Sequence, residues 1–139
     1  MVSLRFATLK DKDFWFELDR HLDNNMFEVK LKLNQCFIIE LDNKMVGVLR
    51  YNYFWDEIPF LNLIYILKEY RQSGIGCKAL YLWESHIKNQ GHKFIMTSTM
   101  ANEQAQHFYR KQNYKDCGCL LKDNFLDFEP MEIFLCKQI

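Results

Sequence analysis

The spacing of polar and apolar positions changes along the chain, and each change marks an element. Phe14, Trp15, Leu18 and Leu22 recur at helical spacing and predict a helix over Asp11 to Leu22, with Thr8 or Asp11 at its start. A weaker helical stretch covers about Asn25 to Leu33. The pattern then turns β-rich. Cys36 to Leu41 predicts a strand, Asp42-Asn43-Lys44 a tight turn, and Met45 to Trp55 a second strand with Gly47 as a bulge site. Phe60 to Leu67, entered after Pro59, predicts a third strand, so the three runs read as an antiparallel meander. Ala79, Leu80, Trp83 and Ile87 then share one helical face, and Gly91 suits the position just past that helix. Phe94-Ile95-Met96 predicts a short buried strand. Asn102 reads as the N-cap, with Glu103 in the first turn, of a helix whose Ala105, Phe108 and Tyr109 lie on one face. Tyr114 to Leu121 and Met131 to Lys137 read as two last strands. The predicted order is two helices, three strands, helix, strand, helix, two strands. That is a mixed α/β (α+β) fold, a mostly antiparallel sheet with helices packed on both faces.

Composition narrows the class. At 139 residues, without repeat, linker or low-complexity tract, the chain reads as one domain over 1–139. It is 49% hydrophobic and 26% charged, enough for an ordinary core. Its 18 basic and 18 acidic residues cancel, which argues against a nucleic-acid module. No uncharged apolar stretch approaches the roughly 20 residues of a membrane span. Met1 to Lys10 carries no apolar run of a secretion signal. The five cysteines, at 36, 77, 117, 119 and 136, are odd in number and read as reduced thiols in a cytoplasm. Cys117-Gly118-Cys119 has neither zinc-knuckle nor redox spacing, and no His, Asp and Glu cluster suggests a metal. With only five glycines in the chain, the pair in Gly74-Ile75-Gly76 stands out.

That pair lies in Arg71-Gln72-Ser73-Gly74-Ile75-Gly76-Cys77, which joins a strand to a helix. A helix N-terminus offers unpaired N–H groups and about half a positive charge, and phosphates bind there. Glycines let the backbone approach the anion, and Arg71 adds a cation. A turn that uses its glycines for geometry alone fits the segment equally well. The nucleoside-triphosphate loop, with its Gly-Lys-Ser/Thr ending, is absent. Gly74, Gly76 and Ala79 match a dinucleotide fingerprint, but Phe94 to Thr99 lacks the acid it needs about 20 residues on. The preceding strands also read as antiparallel. The nicotinamide reading is rejected.

The segment Ile64-Tyr65-Ile66-Leu67-Lys68-Glu69-Tyr70-Arg71-Gln72-Ser73-Gly74-Ile75-Gly76 resembles the signature of the GNAT superfamily of acyl-CoA-dependent N-acyltransferases. Asn102-Glu103-Gln104-Ala105, with Phe108-Tyr109-Arg110-Lys111 and Tyr114, resembles the second hallmark of that family. The inferred element order fits the family fold over nearly the whole chain. The resemblance implies an N-acetyltransferase that moves an acetyl group from acetyl-CoA to a primary amine, of a small molecule or peptide, by direct attack in a ternary complex. Arg71, Gln72, Ser73, Gly74, Ile75, Gly76 and Cys77 would wrap the pyrophosphate with backbone N–H groups. Ile64 and Ile66 would pair with the pantetheine arm as an added strand does, and the Ile66 N–H would polarise the thioester carbonyl. Asn102 would lie beside the pantetheine, and Tyr109 would be the general acid. Their structural alternatives are a helix cap and a core residue.

The amine, with a pKa of about 10.4, needs a base or a water path to one. Many members carry an acid in the strand before the loop, and the comparable residue here is Asn62, which cannot take a proton. Asp56 and Glu57 are nearby substitutes for the base, or ordinary loop residues. Asn113 stands where glycine is frequent and tolerates left-handed backbone. His107 precedes the Phe-Tyr pair but points off the Tyr109 face, His21, His86 and His92 read as surface or helix-end residues, and Cys77 reads as non-catalytic. Tyr51, Tyr53, Phe54 and Trp55 suit either an acceptor pocket or a homodimer contact. A non-catalytic acyl-CoA-binding or regulatory domain, and a purely structural interaction domain, are the rival readings.

Overall fold

The computed structural model describes residues 1–123 and 129–139. Its elements are β1 (Val2–Phe6), a 3-10 turn (Leu9–Asp11), α1 (Lys12–Leu18), α2 (Asn24–Lys32), β2 (Cys36–Leu41), β3 (Lys44–Phe54) and β4 (Ile58–Ile66). A second 3-10 turn (Lys68–Tyr70), α3 (Ile75–Asn89), β5 (Phe94–Met100), α4 (Ala105–Lys111), β6 (Lys115–Leu120) and β7 (Glu132–Gln138) complete it. The strands form one sheet in the order β1-β2-β3-β4-β5-β7-β6. Only β4 and β5 run parallel; the other neighbours are antiparallel.

The meander forms where its sequence predicts. Asp42 and Asn43 both take positive φ, the conformation a tight hairpin turn requires. Gly47 follows a register shift in β2–β3, and a Cβ there would lie 2.4 Å from the Tyr65 carbonyl oxygen, so β3 and β4 approach too closely for a side chain. Gly91 and Asn113 are left-handed just past α3 and α4.

Alternation along β2 separates two cores. Phe37 and Ile39 belong to the core that also holds Leu80, Trp83 and Ile87 of α3 and Tyr109 of α4. Cys36 and Ile38 face the other side, where Trp15 of α1 and Phe27 of α2 cover them. No described helix is long and apolar enough to cross a membrane.

The structure corrects three sequence expectations. β1 is an additional strand ahead of the predicted order; this short, Arg-containing segment gains its strand character from the ladder with β2, Val2 opposite Leu41 to Phe6 opposite Phe37. The first helix ends at Leu18 rather than Leu22. Asp19 turns extended there, because its fully buried carboxylate is held by Trp15 Nε1 (3.2 Å) and Arg50 Nε (2.7 Å) and takes the His21 N–H (3.1 Å). Asn102 is not an N-cap: α4 begins at Ala105 behind Gln104. Gln106 Nε2 donates to the carbonyls of Ala101 (2.8 Å) and Glu103 (2.9 Å), and those bonds hold 101–104 as a turn.

Candidate active site

The site begins with a break in the sheet. β4 pairs with β5 only through Phe60 opposite Met96 and Leu61 opposite Thr97. On its other edge Leu61 pairs with Tyr51 and Leu63 with Arg50, leaving Asn62 as the extra residue of a bulge. Thr97 Oγ1 donates to the Leu61 carbonyl (2.9 Å) at the point where the strands part. Beyond it the β4 edge faces a cleft. The Leu67 N–H still donates to Val46 (2.9 Å), so the alternation of an antiparallel ladder turns the N–H and C=O groups of Ile64 and Ile66 to the open side.

The loop after β4 is built by backbone geometry. Gln72 (φ 59) and Gly74 (φ 83) are left-handed, and Gly74 is the N-cap of α3. The Lys78 N–H bonds the Gly74 carbonyl, so the amides of Ile75, Gly76 and Cys77 precede the helical ladder. Ser73 Oγ donates to the Tyr70 carbonyl (2.7 Å), and the Ile75 side chain is in the core, so each leaves its backbone to the loop. Arg71 is a clasp as well as a charge: Nε donates to the Ile66 carbonyl (2.8 Å) and the guanidinium lies 4.8 Å from the Tyr65 ring centre. A cavity of about 630 Å³ extends from this loop along Ile64 and Ile66 to Phe108 and Tyr109.

A second cavity, of about 500 Å³, lies on the far side of the cleft. Ile64, Glu103, Ala105 and Tyr109 line both, and form the wall between them. Burial pushes the Tyr109 phenol up to about 12; the Thr97 hydroxyl pulls the other way and the Glu103 charge adds to the rise. Its ring lies 5.4 Å from Tyr114, whose hydroxyl donates to the buried Glu84 (2.8 Å). Buried as it is, Tyr109 belongs to the core and to the cavity wall at once.

The second cavity is polar and its charges are mostly paired. Glu132 accepts from Ser98 Oγ (2.9 Å) and pairs with Lys122 (3.3 Å), which also holds Glu129 (3.0 Å). Arg50 is tied to Asp19. Glu103 accepts one long bond, from the Met100 N–H (3.4 Å). Two lining oxygens, Asn62 Oδ1 and Thr99 Oγ1, are buried with no partner among the described residues.

The structure therefore brings together Ile64, Ile66, the loop from Arg71 to Cys77, and Tyr109. It leaves three expected residues outside. Asn102 is exposed in its turn and lines neither cavity; Glu103, one residue on, does. Asp56 and Glu57 are exposed at the tip of the β3–β4 hairpin, at the opposite end of β4 from Ile64, and line neither cavity. The aromatic run does not line the second cavity either: Tyr51 is in the core, and Phe54 and Trp55 cluster with Phe60 and Phe134 near the same tip. His21, Ser98, Glu103, Lys122, Glu129 and Glu132 were not expected at the site. Glu103 lies inside the hallmark segment Asn102 to Ala105; the rest meet only through tertiary structure, because β7 lies beside β5.

Residues 5–114 match the model of the acetyltransferase (GNAT) family. No curated protein matches the chain. Among solved structures, the fold is similar to a GNAT-family acetyltransferase from Bacillus cereus, with TM-score 0.75, 23% identity and coverage of 99% of this chain and 97% of that one. It is similar to a GNAT-family acetyltransferase from Elizabethkingia anophelis with acetyl-CoA bound, with TM-score 0.76, 18% identity and coverage of 99% and 98%. It is also similar to the ribosomal-protein-S18-alanine N-acetyltransferase from Escherichia coli, with TM-score 0.82, 15% identity and coverage of 100% and 94%.

Proposed function

The chain belongs to the acetyltransferase (GNAT) family, and on that premise we propose that it transfers an acetyl group from acetyl-CoA to a primary amine of a small molecule or peptide, by direct attack in a ternary complex. The observation that carries this reading is the wall shared by two cavities. One is bounded by the helix-terminal loop and the open β4 edge; the other is polar. Two substrates entering from opposite sides would meet at Tyr109, with no need for an acyl-enzyme.

Each part has a role on this reading. Amides of the Arg71–Cys77 loop bind the pyrophosphate at the positive end of α3. Ile64 and Ile66 pair with the pantetheine arm, and the Ile66 N–H polarises the thioester carbonyl, where negative charge develops. The Ile66 carbonyl keeps a second lone pair beside its bond from Arg71. The amine nitrogen forms the C–N bond as the C–S pair leaves to sulfur. Tyr109 meets the departing thiolate. In the E. anophelis structure a chain of this fold holds acetyl-CoA, which supports the assignment of the coenzyme side.

The test is thiol release from acetyl-CoA with a panel of polyamines, amino acids, aminoglycosides and peptides, alongside calorimetric coenzyme binding. Amine-dependent release is expected. Tight coenzyme binding with no release from any amine would instead identify a non-catalytic acyl-CoA-binding domain, the reading that Asn62 at the bulge favours. No coenzyme binding would leave a structural interaction domain.

A further inference from the structure

The transferase chemistry requires a group that takes the proton from the attacking amine, and the hairpin-tip acids Asp56 and Glu57 do not reach the site. We infer that Glu103 is that base. The inference rests on the transferase reading above and adds a residue to it.

The charged groups facing the acceptor cavity come from several elements, and most are engaged. Arg50, from β3, is committed to Asp19. Glu132, from β7, is held by Ser98 and Lys122, and Glu129 by Lys122. His21, between α1 and α2, lines the acceptor side alone. Glu103 differs from all of these. It makes no salt bridge among the described residues, and its carboxylate accepts one bond there, the long 3.4 Å one from the Met100 N–H. Of the described acids that line the acceptor cavity, Glu103 alone also lines the coenzyme cavity, so it stands in the wall between the two. Tyr109 belongs to the same wall, so base and acid would border one reaction centre.

The step balances without a further reagent. As nitrogen bonds the acyl carbon, its proton passes to the Glu103 carboxylate and then to solvent. The C–S electron pair leaves on sulfur, and Tyr109 hydrogen-bonds the thiolate until it takes a proton from solvent to become the thiol. The products are the N-acetyl amine and free coenzyme A.

The pH dependence of kcat, at saturating acetyl-CoA and amine, tests this. Wild type is expected to show an acid limb followed by a plateau, because the base must be unprotonated. Glu103→Gln should lower kcat at pH 7 about 100-fold, within the usual range for general-base catalysis. Its rate should then climb with pH as the amine loses its own proton, with coenzyme affinity within about twofold of wild type. Glu103→Ala should regain activity with added formate, a small carboxylate that fits the vacated volume. A Glu103→Gln enzyme with wild-type kcat and an unchanged acid limb overturns the inference. So does an acid limb that disappears in His21→Asn and persists in Glu103→Gln. Wild-type protein that binds acetyl-CoA yet releases no thiol with any amine overturns the transferase reading itself.

Discussion

Replacing Tyr109 with Phe removes one oxygen from the wall between the two cavities and leaves the ring that packs in the core. The size of its effect follows from where that oxygen sits. A phenol near 10 facing a thiolate near 8.5 makes proton transfer uphill by about 1.5 units, or about 2 kcal/mol. Burial pushes Tyr109 up to about 12, which widens the gap to about 3.5 units, or about 5 kcal/mol. On the proposed reading full transfer before the C–S bond breaks is therefore disfavoured, and Tyr109 would act mainly as a hydrogen-bond donor to developing charge. Such bonds contribute about 1.5–3 kcal/mol, so Tyr109→Phe should lower kcat about 10- to 150-fold. Coenzyme affinity, measured by calorimetry, should stay within about twofold. The same burial sets the sign of the pH dependence. The donor must keep its proton, so activity that depends on it is present at lower pH and lost only as pH rises through about 12. Thiol release by wild type should show no fall between pH 8 and about 10 that depends on Tyr109. Unchanged turnover in Tyr109→Phe would remove the residue from the mechanism. A decline centred near pH 9 that vanishes in the variant would refute the assignment of a strongly raised phenol.

Two glycines should fail differently. Gly47→Ala places a Cβ 2.4 Å from the Tyr65 carbonyl oxygen, a backbone clash expected to cost about 2–3 kcal/mol in thermal or urea unfolding; unchanged stability would contradict the close approach of β3 and β4. Gly74→Ala meets nothing within 4 Å but must hold φ 83, so a loss of about 1–2 kcal/mol should accompany weaker acetyl-CoA binding, and a variant that loses neither would show the left-handed cap to be dispensable. Alkaline pH should destabilise the fold: burial pushes Cys36 up to about 12 and also raises Tyr51 and Tyr114, so the neutral forms stabilise the native state fully below about pH 9 and progressively less as pH rises toward 12. Urea midpoints from pH 7 to 11 should fall, less steeply in Cys36→Ala; a flat series would contradict the burial of these groups.

What could be read from the residues and what could not divide along physical lines. The β2–β3–β4 meander was legible because apolar runs and the Asp42-Asn43 turn carry their own local preferences. The Arg71–Cys77 loop was legible because glycine at a helix start has few other uses in a chain with so little of it. β1 was not, because its hydrogen bonds and its Arg5 partners, Asp11 and Glu40, lie on other elements. The end of α1 depended on Arg50, far along the chain, drawing Asp19 into the interior. At the site, Tyr109 followed from its motif, whereas Glu103 required knowing that 101–104 form a turn rather than the first turn of α4. Asn62 looked like a missing acid in sequence; in space it is the bulge that parts β4 from β5.

That parting has a mechanical consequence. The sheet is two blocks, β1 to β4 and β5 with β7 and β6, whose ladders meet at two residue pairs. A ligand arm laid along the free β4 edge would act as a removable brace between the blocks. Coenzyme binding should then stiffen the molecule as well as load it, adding about 2.7 kcal/mol of stability at a hundredfold excess over Kd. Amide exchange should slow first at Ile64 and Ile66, ahead of the distant β1–β2 ladder. The donor substrate would serve as a temporary part of the scaffold, present while the acyl group is held and gone once the spent coenzyme leaves.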